Sequence, residues 1–413
     1  MSEAATSKFA RRRDALIDAA AQLFQARGVD GATLNDVAAA VGLNTKSVRY
    51  YFKLKDDLIA ECLLRAMAHN GRILETAARA PSPRDRLSAY GLGFFEWMRQ
   101  IEAGEQPHVP DFGLMRALDS PSVHRTYHRM RDEIGELVAP GEHGSTGRRA
   151  VEHYLQSQFL GTMTWSKLYS PRRLGRAAAH FVDILSQGIA AGPGGWTLPA
   201  QLPKGFLEED AEGPQEAFLR VATRLINNQG YRGASVDKIA AELNVTKGAF
   251  YHHMETKNDL IGRCLERTCE VMERAQDVAD DAGGSGLQRL VNTAAFLIRY
   301  QLEVDGRLLR MAALSAVSSD IARDLTLKMD RVTANFASMV SDGIIDGSLR
   351  RIDANIAAQM ITGVVNAGEE LWYWFPKTAP EAVVSLALDP LVNGVFGAEE
   401  PDRTRTRVSR RRR

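Results

Sequence analysis

Cysteine is almost absent from this chain: Cys62, Cys264 and Cys269 are the three in 413 residues. Their number and spacing exclude a disulfide framework and any paired zinc-ligand motif, and they fit a reducing cytoplasm. Long apolar runs are missing as well. None approaches the roughly 18 residues that would cross a bilayer, and residues 1–10 lack the apolar stretch of a secretory leader. The expectation is a cytoplasmic chain without a membrane partner. A surplus of one charge is the third absence, since 52 lysines and arginines against 51 carboxylates leave a net charge of +1. Basic character is instead local, at Arg11, Arg12 and Arg13 and in the run 403–413, where a block of like charge is expected to stay disordered and either simply solubilises the chain or touches phosphates or an anionic membrane surface weakly. A Walker loop, a dinucleotide-type glycine turn and a nucleophile elbow are also wanting, which disfavours an enzyme and leaves no cofactor to expect. His124 and His128 stand four apart, a spacing able to hold a metal, but no acidic or cysteine constellation accompanies them and no metal site is expected.

What the chain does have is an internal repeat. Residues 28–65 return at 230–267, displaced by 202 positions (230 − 28) without a gap. Gly28, Gly31, Ala38, Ala39, Lys55, Asp57, Leu58, Ile59, Cys62, Leu63 and Arg65 recur as Gly230, Gly233, Ala240, Ala241, Lys257, Asp259, Leu260, Ile261, Cys264, Leu265 and Arg267. Just ahead, Leu16, Ile17, Ala20, Leu23 and Phe24 match Phe218, Leu219, Ala222, Leu225 and Ile226, an apolar face at helical spacing. The length allows two to four domains at about 100–200 residues each, and 45% apolar with 25% charged residues is the balance of a chain that buries a core. Between the copies, 191–214 is interrupted by Gly192, Pro193, Gly194, Gly195, Pro199, Pro203 and Gly205 and reads as a linker.

Copy one reads as helix, helix, tight turn, helix. An amphipathic helix runs to Arg27, and Gly28 and Gly31 stop it and turn the chain. Thr33 caps the second helix with Asp36 three residues on, a variant of the capping box, while Val37, Ala38 and Val41 supply its buried face. Gly42 and Leu43 form the turn, and Asn44 caps a third helix through Phe52. In copy two Ser235 is the first cap, Asn244 stands where Gly42 stood, a left-handed position that asparagine tolerates, and Thr246 caps a helix carrying Lys247, Gly248, Ala249, Phe250, Tyr251, His252 and His253. Short polar, basic and aromatic residues at the start of such a helix suit the major groove, which admits a helix and sets phosphates against its N-terminal N–H groups. Aromatic residues at this spacing also suit packing between helices. Val48, Phe52, Phe250 and Met254 are assigned to the core, and the tyrosine and histidine neighbours to the surface.

The segment 239–260, IAAELNVTKGAFYHHMETKNDL, resembles the signature of the tetracycline-repressor (TetR) family, a helix-turn-helix followed by the start of a connecting fourth helix. The resemblance implies that Thr246, Lys247, Gly248, Tyr251 and His252 face DNA and that Lys257, opening the fourth helix, contacts a phosphate; Ser235 and Ala249 complete the set. The matching stretch 37–58, VAAAVGLNTKSVRYYFKLKDDL, departs at informative positions, with Thr45 and Lys46 in place of the Lys-Gly pair and Arg49 in place of the tyrosine. Its DNA-facing set is Thr33, Asn44, Thr45, Lys46, Ser47, Arg49, Tyr50 and Lys55. Arg49, planar and permanently charged, suits a phosphate or a guanine edge, so the base preference of copy one is expected to differ.

After each module long helical patterns follow, over 58–78, 84–103, 122–138, 148–167 and 171–190 in copy one and 260–280, 287–304, 308–316, 319–343, 352–375 and 380–395 in copy two, with no convincing strand. The expected fold is all-α: two tandem TetR-like units, each an N-terminal three-helix helix-turn-helix domain (8–54 and 214–256) plus a C-terminal helical ligand-binding and dimerisation domain (55–191 and 257–398), joined by the linker 192–213 and followed by a basic disordered tail, 399–413. By resemblance, the last two helices of each copy make a four-helix dimer interface. Here that interface would lie within one chain, as an intrachain pseudo-dimer reading an imperfect palindrome of double-stranded operator DNA. A homodimer of chains would lengthen the protected site. The same resemblance implies a pocket among the middle helices for a small apolar or aromatic effector that releases a repressor from DNA. Phe94, Trp97, Met98, Tyr127, Tyr154 and Trp165 are the candidate lining in copy one, and Phe296, Tyr300, Met311, Phe336, Met360 and Trp372 in copy two. Pockets and cores share a composition, so plain packing suits each of them too. The alternative is that copy one, lacking the Lys-Gly pair, is a sensing or protein-interaction module that does not read DNA.

Overall fold

A computed structural model describes residues 3–397 except 28, 30, 111, 113–114, 116–117, 142–143, 193–195, 200–213, 247, 249–255, 304–307, 311–312 and 315–316. Among the described residues the regular structure is helical, apart from one isolated antiparallel bridge between Ala190 and Leu349. The first unit contains α1 (Glu3–Arg27), α2 (Leu34–Ala40), α3 (Thr45–Tyr51), α4 (Lys55–Ala77), α5 (Pro83–Glu102), α6 (Pro121–Val138), α7 (Thr146–Trp165) and α8 (Leu174–Gln187). The second contains α9 (Pro214–Gly233), α10 (Val236–Glu242), α11 (Lys257–Asp281), α12 (Gly286–Glu303), α13 (Ser319–Asp346), α14 (Ala354–Ala367) and α15 (Pro380–Asn393). The all-α expectation holds. Of the helix expected over 308–316, the described residues keep only a 3-10 turn at 313–314, where Ala313 N donates to Arg310 O at 3.0 Å; at its start the backbone is bonded to side chains instead, Leu308 O accepting from Asn227 at 2.9 Å and Leu309 N donating to Thr268 Oγ1 at 2.9 Å. The tail 399–413 and most of the linker lie outside the described residues.

The described helices of each N-terminal module, α1 to α3 in unit one and α9 and α10 in unit two, pack their apolar stripe onto the long helix that follows. Leu16, Ile17, Ala20 and Phe24 of α1 are buried with Val37, Val48 and Phe52 and with Leu58 and Cys62 of α4; Phe218, Leu219, Ala222 and Ile226 of α9 are buried with Ile239, Leu260 and Cys264. Burial of these stripes is what drives the docking. The repeat persists down to single hydrogen bonds, since Cys62 Sγ donates to Ile17 O at 3.5 Å and Cys264 Sγ to Leu219 O at 3.6 Å. Burial pushes both thiols up to about 12, so they remain protonated donors.

Within the first bundle α5 packs on α4 and α8, and α6 on α4 and α7; across the units α7 and α8 pack on α14 and α15. The buried side chains of both bundles form one continuous cluster. Where α8 and α15 end, the two units exchange backbone bonds in a reciprocal pattern: Ile189 N donates to Leu391 O at 3.1 Å and Val395 N to Leu185 O at 2.9 Å. Gln158 Nε2 adds a bond to Met360 O at 3.0 Å, and Arg350 Nη2 reaches Asp183 Oδ2 at 2.9 Å. The described part of the linker lies along α12, with Gln288 Nε2 donating to Thr197 O at 2.7 Å and Arg299 Nη1 to Pro199 O at 3.0 Å.

Candidate DNA interface and effector cavity

In unit one, local chemistry sets the two helices that would meet DNA. Thr33 N donates to Asp36 Oδ2 at 2.7 Å and Asp36 N to Thr33 Oγ1 at 3.2 Å, a complete capping box. Gly42, at φ +66°, turns the chain, and Asn44 Oδ1 accepts from Ser47 N at 2.8 Å to start α3. The Thr45 hydroxyl donates to Asn35 Oδ1 and ties α3 to α2. With Val48 fully buried, α3 turns Lys46, Arg49 and Tyr50 outward together, Tyr50 being 75% exposed with its ring edge-on to Phe9 and Tyr51. Thr33, Asn44, Thr45 and Ser47 are engaged in caps and ties beside this face. Lys55 does open α4, but it is half-buried, and its amine donates to Val29 O and lies 5.8 Å from the centre of the Phe24 ring. It fastens α4 to the turn between α1 and α2.

Unit two repeats the scaffold. Ser235 Oγ accepts from Lys238 N at 3.2 Å, and Asn244 has φ +54° at the position of Gly42. Thr246 and Gly248 are exposed, whereas Lys247, Ala249, Tyr251 and His252, with Phe250 and Met254, lie outside the described residues. Lys257 is half-buried at the start of α11. Its helix has a capping box that the sequence reading missed: Thr256 N donates to Asp259 Oδ2 at 2.9 Å and Asp259 N to Thr256 Oγ1 at 3.1 Å. The signal was the spacing Thr-x-x-Asp ahead of an apolar stripe.

Helices α4 to α7 enclose a cavity of about 10 Å³, room for one water. Of the six residues expected here, Phe94 and Trp97 line it; Met98, Tyr154 and Trp165 are buried elsewhere in the core and Tyr127 is half-buried away from it. Trp165 packs on Phe95 and Phe181, with centroids 5.7 and 5.8 Å apart. The wall that composition did not single out is Tyr90 on α5, Met130 and Ile134 on α6, and Gln156, Phe159 and Leu160 on α7, with Asn70 and Phe112. The Tyr90 hydroxyl donates to Asn70 Oδ1 at 3.0 Å, and burial raises its pKa so that it stays protonated.

Four of the six places expected in unit two are filled among the described residues. Phe296, Tyr300, Phe336 and Met360 are buried in the core, and the Met360 carbonyl serves the junction with α7. The Tyr300 hydroxyl accepts from the Arg267 guanidinium, whose Nε pairs with Glu216 Oε1 of α9 at 2.5 Å. Met311 and the side chain of Trp372 lie outside the description. A crevice between Leu302, Phe375, Pro380 and Val383 is too tight for a water molecule. His124 Nε2 meets the Leu118 carbonyl at 3.1 Å, and among the described residues no group of three metal-ligating side chains assembles. No described helix is long and apolar enough to cross a membrane.

A helix-turn-helix module docked on a helical bundle in unit one, with the first two helices of its repeat docked in the same way in unit two, defines a DNA-binding transcription regulator of the all-α class. The profile of the bacterial regulatory proteins of the tetR family matches at 16–62 and again at 218–264. The HTH-type transcriptional repressor KstR2 of Mycolicibacterium smegmatis is 31% identical over 199 residues, which are 46% of this chain and 95% of that protein. The HTH-type transcriptional repressor DhaR of a Mycobacterium species is 29% identical over 140 residues, 33% of this chain and 70% of DhaR. Among solved structures, the TetR family transcriptional regulator PfmR of Thermus thermophilus aligns with a TM-score of 0.38 at 18% identity, over 44% of this chain and 99% of its own. The chain belongs to the tetR family of bacterial regulatory proteins and carries the family's DNA-binding domain twice.

Proposed function

We propose that the chain is a ligand-responsive repressor whose two fused units act as an intrachain pseudo-dimer on an imperfect palindrome of double-stranded DNA. The observation that carries this reading is the reciprocity of the junction, Ile189 N to Leu391 O and Val395 N to Leu185 O, in which each unit offers the other corresponding backbone groups. That is the pattern of an isologous two-fold interface, and a two-fold pair of helix-turn-helix modules reads half-sites about one helical turn apart. The readers differ, Lys46 and Arg49 against Gly248 and Tyr251, so the half-sites are unlike. Repression is supported by KstR2 and DhaR, both named transcriptional repressors. The modules 8–54 and 214–256 read DNA, and 55–191 and 257–398 sense and associate.

A small apolar or aromatic effector enters by spreading α4 from α6, because a ligand-sized volume is far larger than the present cavity. Lys55 to Val29 and Cys62 to Ile17 fasten α4 to the reader, so a shift of α4 carries α3 with it. Release follows if the effector favours the shifted state over the DNA-bound one. Selection of random duplex DNA by the full chain at two salt concentrations tests this, phosphate contacts making affinity salt-dependent. Two unlike half-sites are expected. A single half-site would mark copy one as a module that does not read DNA, and no enrichment at either salt would remove both readings.

A further inference from the structure

The cavity of unit one has an unsatisfied polar group in its wall, whereas at the described positions of unit two that correspond to its α4 and α5 wall the polar side chains are paired. Rings stand edge-on or tilted around the cavity, with centroids 4.4 Å apart for Tyr90 and Phe159, 5.3 Å for Phe94 and Phe159 and 5.6 Å for Phe94 and Trp97. Such a box offers edges and faces to another ring. Asn70 Oδ1 is taken by Tyr90, but Gln156, 3% exposed, has its amide Nε2 buried without a hydrogen-bond partner. A buried donor left unpaired is unfavourable, and a ligand oxygen placed there removes the penalty.

In unit two α12 begins at Gly286 where α5 begins at Pro83, so Tyr90, Phe94 and Trp97 correspond to Thr293, Leu297 and Tyr300, and Asn70 corresponds to Met272 at the offset of the repeat. All four are fully buried. Thr293 Oγ1 donates to Arg289 O at 2.9 Å, and Tyr300 is held by Arg267, which reaches Glu216 of α9. The polar groups at these positions have partners, and the arginine ties α9, the first helix of the second DNA-binding module, to the bundle.

We propose that the units divide the work: unit one alone takes the effector, a ring-bearing apolar molecule whose carbonyl or ether oxygen accepts from Gln156, while the corresponding space of unit two is a closed strut. This rests on the effector-responsive reading above, but its test needs no DNA. Full-length chain is dialysed to equilibrium against acetophenone and, separately, against isopropylbenzene, a near-isostere without the oxygen. One acetophenone site per chain is expected. Leu160→Trp, which fills the cavity, should abolish it, and Gln156→Leu should weaken acetophenone about fivefold while leaving isopropylbenzene unchanged. Tyr300→Phe should leave both probes unaffected. Should Leu160→Trp fail to fold, the conservative Gln156→Leu carries the test. Two equivalent sites, a site that survives Leu160→Trp, equal weakening of both probes by Gln156→Leu, or no saturable acetophenone binding each overturns the division. A chain that selects a two-part operator yet fails here loses only the division of work. One that passes here but selects no DNA loses only the operator reading.

Discussion

Gly188 and Gly394 meet backbone to backbone, one just past the end of α8 and the other just past the end of α15. A Cβ on Gly188 would stand 2.2 Å from the Val392 carbonyl oxygen, and one on Gly394 2.5 Å from that of Ser186. Both also have positive φ, +69° and +82°, so a side chain meets steric exclusion and backbone strain together. Gly188→Ala and Gly394→Ala are each expected to lower the unfolding free energy by about 1–3 kcal/mol and to loosen the units. Urea unfolding and gel filtration check this; wild-type midpoints for both variants would place the stability of the junction elsewhere.

The outward face of α3 makes a second prediction. Arg49→Ala should cost about 1–3 kcal/mol at one half-site and relax its base preference, leaving the other half as it was. Lys46→Ala should weaken all sequences alike and reduce the slope of log affinity against log salt by about one. Fluorescence anisotropy over a salt series separates the two. Loss at both half-sites with Arg49→Ala would contradict separate readers.

Caps allow a third. Thr33→Ala and Thr256→Ala each remove a capping box and should destabilise by about 1 kcal/mol, with serine restoring most of it. Denaturant midpoints for the four single variants decide it.

Acid sensitivity gives a fourth. His153 on α7 is buried with its ring 4.9 Å from that of Trp374 in the other unit, and burial pushes its pKa from 6.5 down to about 4. As pH falls through 6.5 the unfolded chain takes up this proton, whereas the native chain does not until about 4. Its contribution is therefore intact above pH 6.5 and declines across that window, by up to roughly 3 kcal/mol. His153→Leu should flatten that part of the decline, measured as the difference in urea midpoint between pH 7.5 and 4.5. The same decline in both proteins would assign it to other groups.

Features set by neighbours in the chain are legible without coordinates. Asn244 at positive φ follows from its register with Gly42, and the Thr33–Asp36 box from residues three apart. Partners set by folding are not. Lys55 is placed with the DNA-facing residues by its register with Lys257 and the family resemblance, and nothing in the sequence shows that its amine also bonds a carbonyl 26 residues away. Aromatic content points to the middle helices, but which rings face the cavity depends on how α5 rotates against α7 and α8, and so Tyr90 lines it while Trp165 turns to Phe181. Gln156 looks like any surface glutamine until its burial is known.

The contact of Gly188 with Gly394 also changes what a mutation means. In an assembly of identical chains every substitution falls on both sides of the interface at once, and a change must suit both copies. Here each side is encoded in its own stretch of gene, so Arg49 stands against Tyr251, and Trp97 against Tyr300, without either being imposed on the other half. One half is free to drift while its sibling preserves the shape they share.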